Sequence, residues 1–337
     1  MFFYISILTF LLLFIFCYNL APSFKLIDKP NYRKIHKGNI PLIGGLLIYL
    51  NLLIFFPYFE KSYHFSIIFY TSAILLILGA LDDAIELGVV FRLISQFVSC
   101  LIIIGSGLVI TNIGDYAFFS KIDMGVLSIL FTVLCVIGLT NAFNFIDGMD
   151  GLCSGSFLVS ISSILIFAYL SNTLNSIIEL ELVYIIIISV LLFMILNFSN
   201  RYKIFLGDSG SNTLGFMISW FLILNSEIYE TIHPVLVLWC VSIPSFDIIS
   251  VIIRRLFRKK NPFKADRRHI HHILLNIGFD QKGVTITILS VSLLLNFFGF
   301  LIFNLFGPLS TLMVYLVMVF VYLFLSLKLN HLANKKN

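Results

Sequence analysis

The sequence predicts an all-α, polytopic membrane helical bundle, and three observations carry the prediction. Hydrophobic residues make up 59% of the 337-residue chain and charged residues only 12%, about half the charged fraction usual for a soluble protein. The apolar residues, 36 Phe among them, run in stretches of the ~17–25 residues that a membrane helix needs. The charged residues collect between those stretches.

Apolar windows place helices near 2–21, 42–58, 64–81, 89–110, 124–141, 152–171, 176–197, 211–226, 234–253, 284–306 and 308–327. That makes about eleven transmembrane helices, with ten as the alternative, and the break at Gly307-Pro308 is open to a re-entrant hairpin in place of two spans. The first window has no basic residues ahead of it, so it reads as a retained span and not a cleaved leader. With loops alternating sides, all of the 22 Lys and Arg residues except Lys61 and Lys121 fall on one side. The positive-inside rule makes that side cytoplasmic, with the N-terminus outside and the C-terminus inside. Residues 1–337 read as a single integral membrane domain, without repeat or low-complexity tract. The five cysteines lie mostly in apolar segments without a CxxC pair and read as small buried hydrophobes. The net charge of +5 reflects topology, and no nucleic-acid partner is expected.

Every loop with chemical potential lies on the cytoplasmic side, which is where an active site is expected. Leu81-Asp82-Asp83 ends the third window and Arg92 opens the fourth. Adjacent carboxylates persist beside a cation or as a general base, although a plain helix cap is equally open. Asn141, Asn144, Asp147 and Asp150 recur at three-residue steps, and on a helix the last three share one face. Carboxylates in so apolar a chain are costly and usually mark a site. Gly207-Asp208-Ser209-Gly210-Ser211 is a small-residue turn before the eighth window. It reads either as an N-cap or as an anion site whose aspartate holds magnesium. The loop from Arg254 mixes a basic run with Arg267, Arg268, His269, His271 and His272. Arg258, Lys259 and Lys260 suit topology or anionic lipid, whereas the Arg and His cluster suits phosphate oxygens. Zinc is the competing thought for the histidines, but no cysteine is near and the carboxylates elsewhere are oxygen ligands. Asp247 lies about two turns from the end of the ninth window and either faces the site or pairs with a basic neighbour. Together these residues suit phosphoryl transfer involving a lipid. A transporter is the alternative class, and it predicts ionisable residues at mid-membrane in two related halves.

These residues resemble the polyprenyl-phosphate N-acetylhexosamine-1-phosphate transferases. The resemblance spans most of the chain in five ordered motifs: D-x-P-x-x-R-K-x-H from Asp28, Asp82-Asp83, N-x-x-D-G-x-D-G-L from Asn144, G-D-S-G-S from Gly207 and D-R-x-H-x-H-H from Asp266. The last motif resembles the bacterial WecA/TagO-type branch, which implies UDP-N-acetylglucosamine as donor and undecaprenyl phosphate as acceptor. UDP-N-acetyl-galactosamine, -fucosamine and -quinovosamine are the alternative donors. The resemblance implies that Asn144 and Asp208 hold Mg2+, with Mn2+ as a substitute. It implies that Asp147, Asp150 and Phe205 meet the nucleotide, and that Arg92, Arg267, His269, His271 and His272 bind phosphate. It makes Asp82 and Asp83 the catalytic candidates. The expected setting is the bilayer of a bacterial inner membrane, the expected product primes a surface glycan, and a homodimer is compatible with all of this.

Overall fold

The computed structural model describes residues 2–30, 38–116, 121–257, 259 and 269–336, with side chains to residue 331. Twelve helices follow one another among these residues: α1 (Phe2–Leu20), α2 (Gly44–Phe55), α3 (Tyr63–Ile85), α4 (Val89–Gly105), α5 (Ser128–Ile146), α6 (Leu152–Leu170), α7 (Leu180–Asn197), α8 (Gly207–Glu227), α9 (Pro234–Cys240), α10 (Ser242–Phe257), α11 (Ile270–Ile277) and α12 (Gln281–Lys336). A two-residue antiparallel pairing of β1 (Ile27–Asp28) with β2 (Ile40–Pro41) sets the entry to α2.

Helix α8 is the axis of the bundle, buried on all faces from Gly207 to Asn225 except at Asp208. A helix this rich in small polar residues occupies the centre because small residues let neighbouring backbones approach closely. A methyl group on Gly45 of α2 would lie 2.3 Å from the Gly210 Cα, and one on Gly79 of α3 would lie 2.5 Å from the Ser209 Cα. The hydroxyls of Ser211, Thr213 and Ser219 donate to carbonyls four residues back, so none is stranded in the apolar interior. Phe69, Phe143, Phe157 and Trp220 pack around this axis. Outward, Leu8, Leu12, Phe16, Leu294 and Phe320 are exposed, as expected where the surrounding medium is lipid. The protein is a multi-pass helical membrane protein.

Each apolar window overlaps a helix, but α3, α5 and α8 run past theirs to take in Asp82, Asn144 and Asp208, the last two windows share α12, and the ninth is broken. By length and composition six of the described helices can cross a membrane, and α9 with α10 forms a seventh candidate bent by 84°. Pro244 has no N–H to bond the Cys240 carbonyl, which instead accepts from the Asn296 Nδ2 at 3.3 Å. Helices α2 and α4 are shorter, which is one source of the difference from eleven. Helix α12 is interrupted at Gly307 (φ 78°, ψ 178°), followed by Pro308. Its apolar stretch of 51 residues exceeds one crossing of a ~30 Å core at ~1.5 Å per residue.

Candidate active site

Helices α3 and α8 run antiparallel, so the C-terminus of one meets the N-terminus of the other, and the site is built on that meeting. Helix α3 stops at Glu86, which takes a left-handed conformation (φ 54°) and returns its N–H to the Asp82 carbonyl. The chain then turns through Gly88, whose N–H donates to the Asp82 Oδ1 at 3.1 Å. This short turn delivers Arg92, one turn into α4, against the carboxylates. Its Nη2 lies 2.7 Å from the Asp82 Oδ2 and 2.8 Å from the Asp208 Oδ2, while its Nη1 donates to the Asn144 Oδ1 at 2.7 Å. The Asn144 Nδ2 in turn donates to the Asp208 Oδ1 at 2.7 Å and to the Ser211 Oγ at 2.9 Å. Residues from α3, α4, α5 and α8 thus converge on one guanidinium.

Asp83 points elsewhere. Its two carboxylate oxygens accept the backbone N–H groups of Asp208 and Ser209, at 2.8 and 3.1 Å, at the positive end of the α8 dipole. Gly207 (φ 77°) makes room, since a Cβ there would lie 2.6 Å from the Asp83 Oδ2. Asp82 is the member of the pair that lines a small crevice between α3, α4 and α8, bordered by Leu75, Phe91, Gln96 and Asn212.

The expectation that Asn144, Asp147 and Asp150 share a helix face is corrected by the end of α5 at Ile146. Asp147 caps that helix, its N–H reaching the Asn144 carbonyl at 3.3 Å. Burial, and then the charges of Asp208, Asp83 and Asp150, push its carboxyl well above the usual range. Asp150 belongs to the turn that follows and pairs with Lys203. Gly151 (φ 72°) closes the turn, and its N–H is held by the Asn197 Oδ1 at 2.8 Å. Lys203 also sits 5.4 Å above the Phe205 ring, so Asp150, Lys203 and Phe205 form one group. The Phe205 backbone pairs with the segment entering α2, through the Pro41 carbonyl and the Gly44 N–H, both at 2.9 Å.

The histidine motif approaches from α11. His269 Nδ1 lies 2.7 Å from the Asp247 Oδ2, which answers the question left open for Asp247: it pairs with a histidine. The His269 ring is 5.3 Å from the Phe145 ring and stacks on His271 at 5.9 Å. His271 is fully buried, neither of its ring nitrogens has a hydrogen-bond partner, and its Nε2 is 3.2 Å from where a Cβ on Gly148 would sit. Burial and then the neighbouring His272 push its pKa down to about 3. His272 packs on His271 at 4.2 Å. Arg33, Lys34, His36, Arg258, Lys260, Arg267 and Arg268 lie outside the described residues.

Sequence reasoning passed over several residues of this site. Lys203 is charged and two residues from Phe205, so its signal was present. Asn141, read from the sequence alone as packing, donates to the Gln96 Oε1 at 2.7 Å, Gln96 donates to the Asn212 Oδ1 at 2.8 Å, and Asn212 donates to the Asp208 carbonyl at 2.8 Å. This chain of amides steadies the first turn of α8. Tyr322 carried no signal at all. Asp82, Asp83, Arg92, Asn144 and Asp208 gather where the end of α3 meets the start of α8, in contrast to the mid-membrane placement that a transporter predicts.

Comparison with known proteins agrees with the geometry. The model of glycosyl transferase family 4 matches residues 65–226, the stretch from α3 through α8 that carries Asp82, Arg92, Asn144 and Asp208. The undecaprenyl-phosphate alpha-N-acetylglucosaminyl 1-phosphate transferase of Escherichia coli (strain K12) is 33% identical over 305 residues, covering 88% of this chain and 82% of that protein. The Haemophilus influenzae protein of the same name is 33% identical over 280 residues, covering 81% and 78%. The Yersinia pestis protein is 32% identical over 277 residues, covering 81% and 76%. With Asp82, Arg92, Asn144 and Asp208 clustered at one end of the bundle and this extent of likeness, the chain belongs to glycosyl transferase family 4 and is a phosphoglycosyl transferase.

Proposed function

We propose that this enzyme transfers N-acetylglucosamine 1-phosphate from UDP-N-acetylglucosamine to undecaprenyl phosphate at the inner face of a bacterial cytoplasmic membrane. A phosphate oxygen of the lipid attacks the β-phosphorus of the donor, the bond from that phosphorus to the bridging oxygen breaks, and UMP leaves with the electron pair. One phosphoanhydride replaces another, so the reaction is near balance and later steps of a surface glycan draw it forward. The observation that carries this reading is the convergence of Asp82, Arg92, Asn144 and Asp208, supported by the names of the relatives and by the positive-inside bias. UDP-N-acetylglucosamine is favoured over the other UDP-N-acetylhexosamines by those same names.

Magnesium is the cofactor we propose. Among the described residues no group of three or more His, Cys, Asp or Glu side chains is arranged to hold a metal ion. Asn144 and Asp208 nevertheless fit Mg2+, which takes one or two protein oxygens and completes its shell with substrate phosphate and water. The Arg92 guanidinium within 2.8 Å of both side chains supports a cation-seeking character there. When bound, the ion would neutralise charge on the diphosphate oxygens.

The protein's own groups then divide the work. Arg92 can follow the diphosphate, since its fork of donors suits phosphate as well as carboxylate. His271, with two unpartnered ring nitrogens, and His269 and His272 beside it offer further phosphate contacts, together with Arg267. Asp147 meets the nucleotide, with Asp150 and Lys203 framing Phe205, whose ring suits stacking on uracil. Asp82 orients the lipid phosphate, and Asp83 fixes Asp208 through the α8 backbone. The test is UMP release by purified protein from radiolabelled UDP-N-acetylglucosamine with undecaprenyl phosphate and Mg2+, run beside Asp208→Ala. Failure to release UMP from any UDP-N-acetylhexosamine would end the substrate assignment, and full activity in the variant would end the metal assignment.

A further inference from the structure

We propose that Asp247 and Tyr322 are positioning residues for His269. They hold the Nδ1–H of its imidazole against the Asp247 carboxylate and so turn Nε2, the nitrogen that donates to a phosphate oxygen when the ring carries both protons, toward the substrate. The proposal rests on the phosphate-binding reading of His269 given above. It concerns two residues outside every motif and outside the segment matched by the family model.

Asp247 is 2% exposed and sits on α10 just beyond the 84° bend. Its Oδ1 accepts the Ile270 backbone N–H at 3.1 Å and the Tyr322 hydroxyl at 2.9 Å, and its Oδ2 lies 2.7 Å from the His269 Nδ1. A backbone N–H can only donate, and the phenol donates here as well. A carboxyl surrounded by three such groups is served best as an ionised acceptor, so the hydrogen facing His269 belongs to Nδ1. Among the described residues the His269 ring makes no other hydrogen bond. Its ring is framed by Phe145, the residue after Asn144, and by His271, in a nearly parallel stack with an interplanar angle of 10°.

A carboxylate needed only to cap α11 would be satisfied by the Ile270 N–H. Asp247 instead commits its second oxygen to the ring, and Tyr322 steadies the first oxygen from the far half of α12, past the break at Gly307. Histidines that bind metals or reactants are commonly fixed in this way, because the partner of one ring nitrogen decides what the other presents. The bend lies between α9 and α10. It carries Asp247 under the start of α11, so that three elements distant in sequence meet at one imidazole.

The experiment uses full-length protein in lipid nanodiscs, labelled with 15N-histidine, with the His269 signals assigned by difference from His269→Gln. Without substrate, wild-type protein is expected to show a protonated, pyrrole-type Nδ1 at His269. Tyr322→Phe should keep that signature with a loss of kcat/KM of about 3-fold. Asp247→Asn, which leaves one acceptor oxygen for three donors, should mix the tautomers. It should also lower kcat/KM for UDP-N-acetylglucosamine by ~10-fold or more, with KM for undecaprenyl phosphate unchanged. An unprotonated Nδ1 at His269 in the wild-type protein overturns the proposal. So does an Asp247→Asn protein with wild-type kinetics. If the wild-type protein releases no UMP, the donor assignment fails while the spectrum still reports on the ring, so the two failures are separable.

Discussion

The carboxylate of Asp83 accepts the backbone N–H of Asp208 at 2.8 Å, across 125 residues of sequence. The end of α3 thereby caps the start of α8, and the side chain of Asp208 inherits its position from that cap.

This separates the roles of two adjacent aspartates. Asp83→Asn should lose activity by at least ~100-fold and speed amide hydrogen exchange at Asp208 and Ser209, because the asparagine NH2 cannot accept from the second backbone N–H and an unpaired buried donor costs about 1–3 kcal/mol. Asp82→Asn should lose activity while leaving that exchange unchanged. Equal exchange in the two variants would remove the distinction.

Arg92 bridges Asp82, Asn144 and Asp208. Arg92→Lys keeps the charge but not the planar fork that reaches three acceptors, so it should recover less than a tenth of wild-type activity. Arg92→Ala should be weaker still and should need more Mg2+ for half-maximal rate. A lysine variant with wild-type turnover would show that charge alone suffices.

Asp147 gives a pH dependence whose sign follows from its raised pKa. The folded protein holds this proton more tightly than the unfolded chain, so the stabilisation is complete below the ordinary carboxyl range near ~3.9 and is lost as pH rises through the folded value. Asp147→Asn should therefore raise the melting temperature at pH 7.5, with the gain shrinking toward pH 5, while activity falls. Melting curves in detergent across that range measure both trends, and a gain that grows on acidification contradicts the assignment.

The contact of α2 with α8 sets a packing prediction. Gly45→Ala places a methyl group 2.3 Å from the Gly210 Cα, so the two backbones must separate and the melting temperature should fall by several degrees. Gly138→Ala, in α5 with nothing within 4 Å of the new methyl, should be neutral or gain up to ~1 kcal/mol from helix propensity. Thermal unfolding of the pair in one detergent compares them directly.

The helices were legible because membrane spans are a matter of composition and length, and each apolar window overlaps a helix, although the polar ends of α3, α5 and α8 lie beyond theirs. The bend at Val241 was hidden, although Pro244 stood in plain view. The displaced carbonyl of Cys240 finds its partner in Asn296, 56 residues away, and no local pattern announces such a rescue. Asp82, Arg92, Asn144, Asp208 and the histidines were legible because charge in an apolar chain is conspicuous. Their grouping into one cluster follows from α3 and α8 lying antiparallel.

The sequence by itself determined the helical membrane architecture and the residue types available for chemistry, since both follow from the cost of placing polar groups in hydrocarbon. Tertiary structure alone decided which aspartate supports α8 and which lines the crevice, that Asp150 answers to Lys203, and that Tyr322 reaches Asp247. Hydrogen bonds act over about 3 Å, and only the packed bundle brings helices so far apart in sequence within that reach.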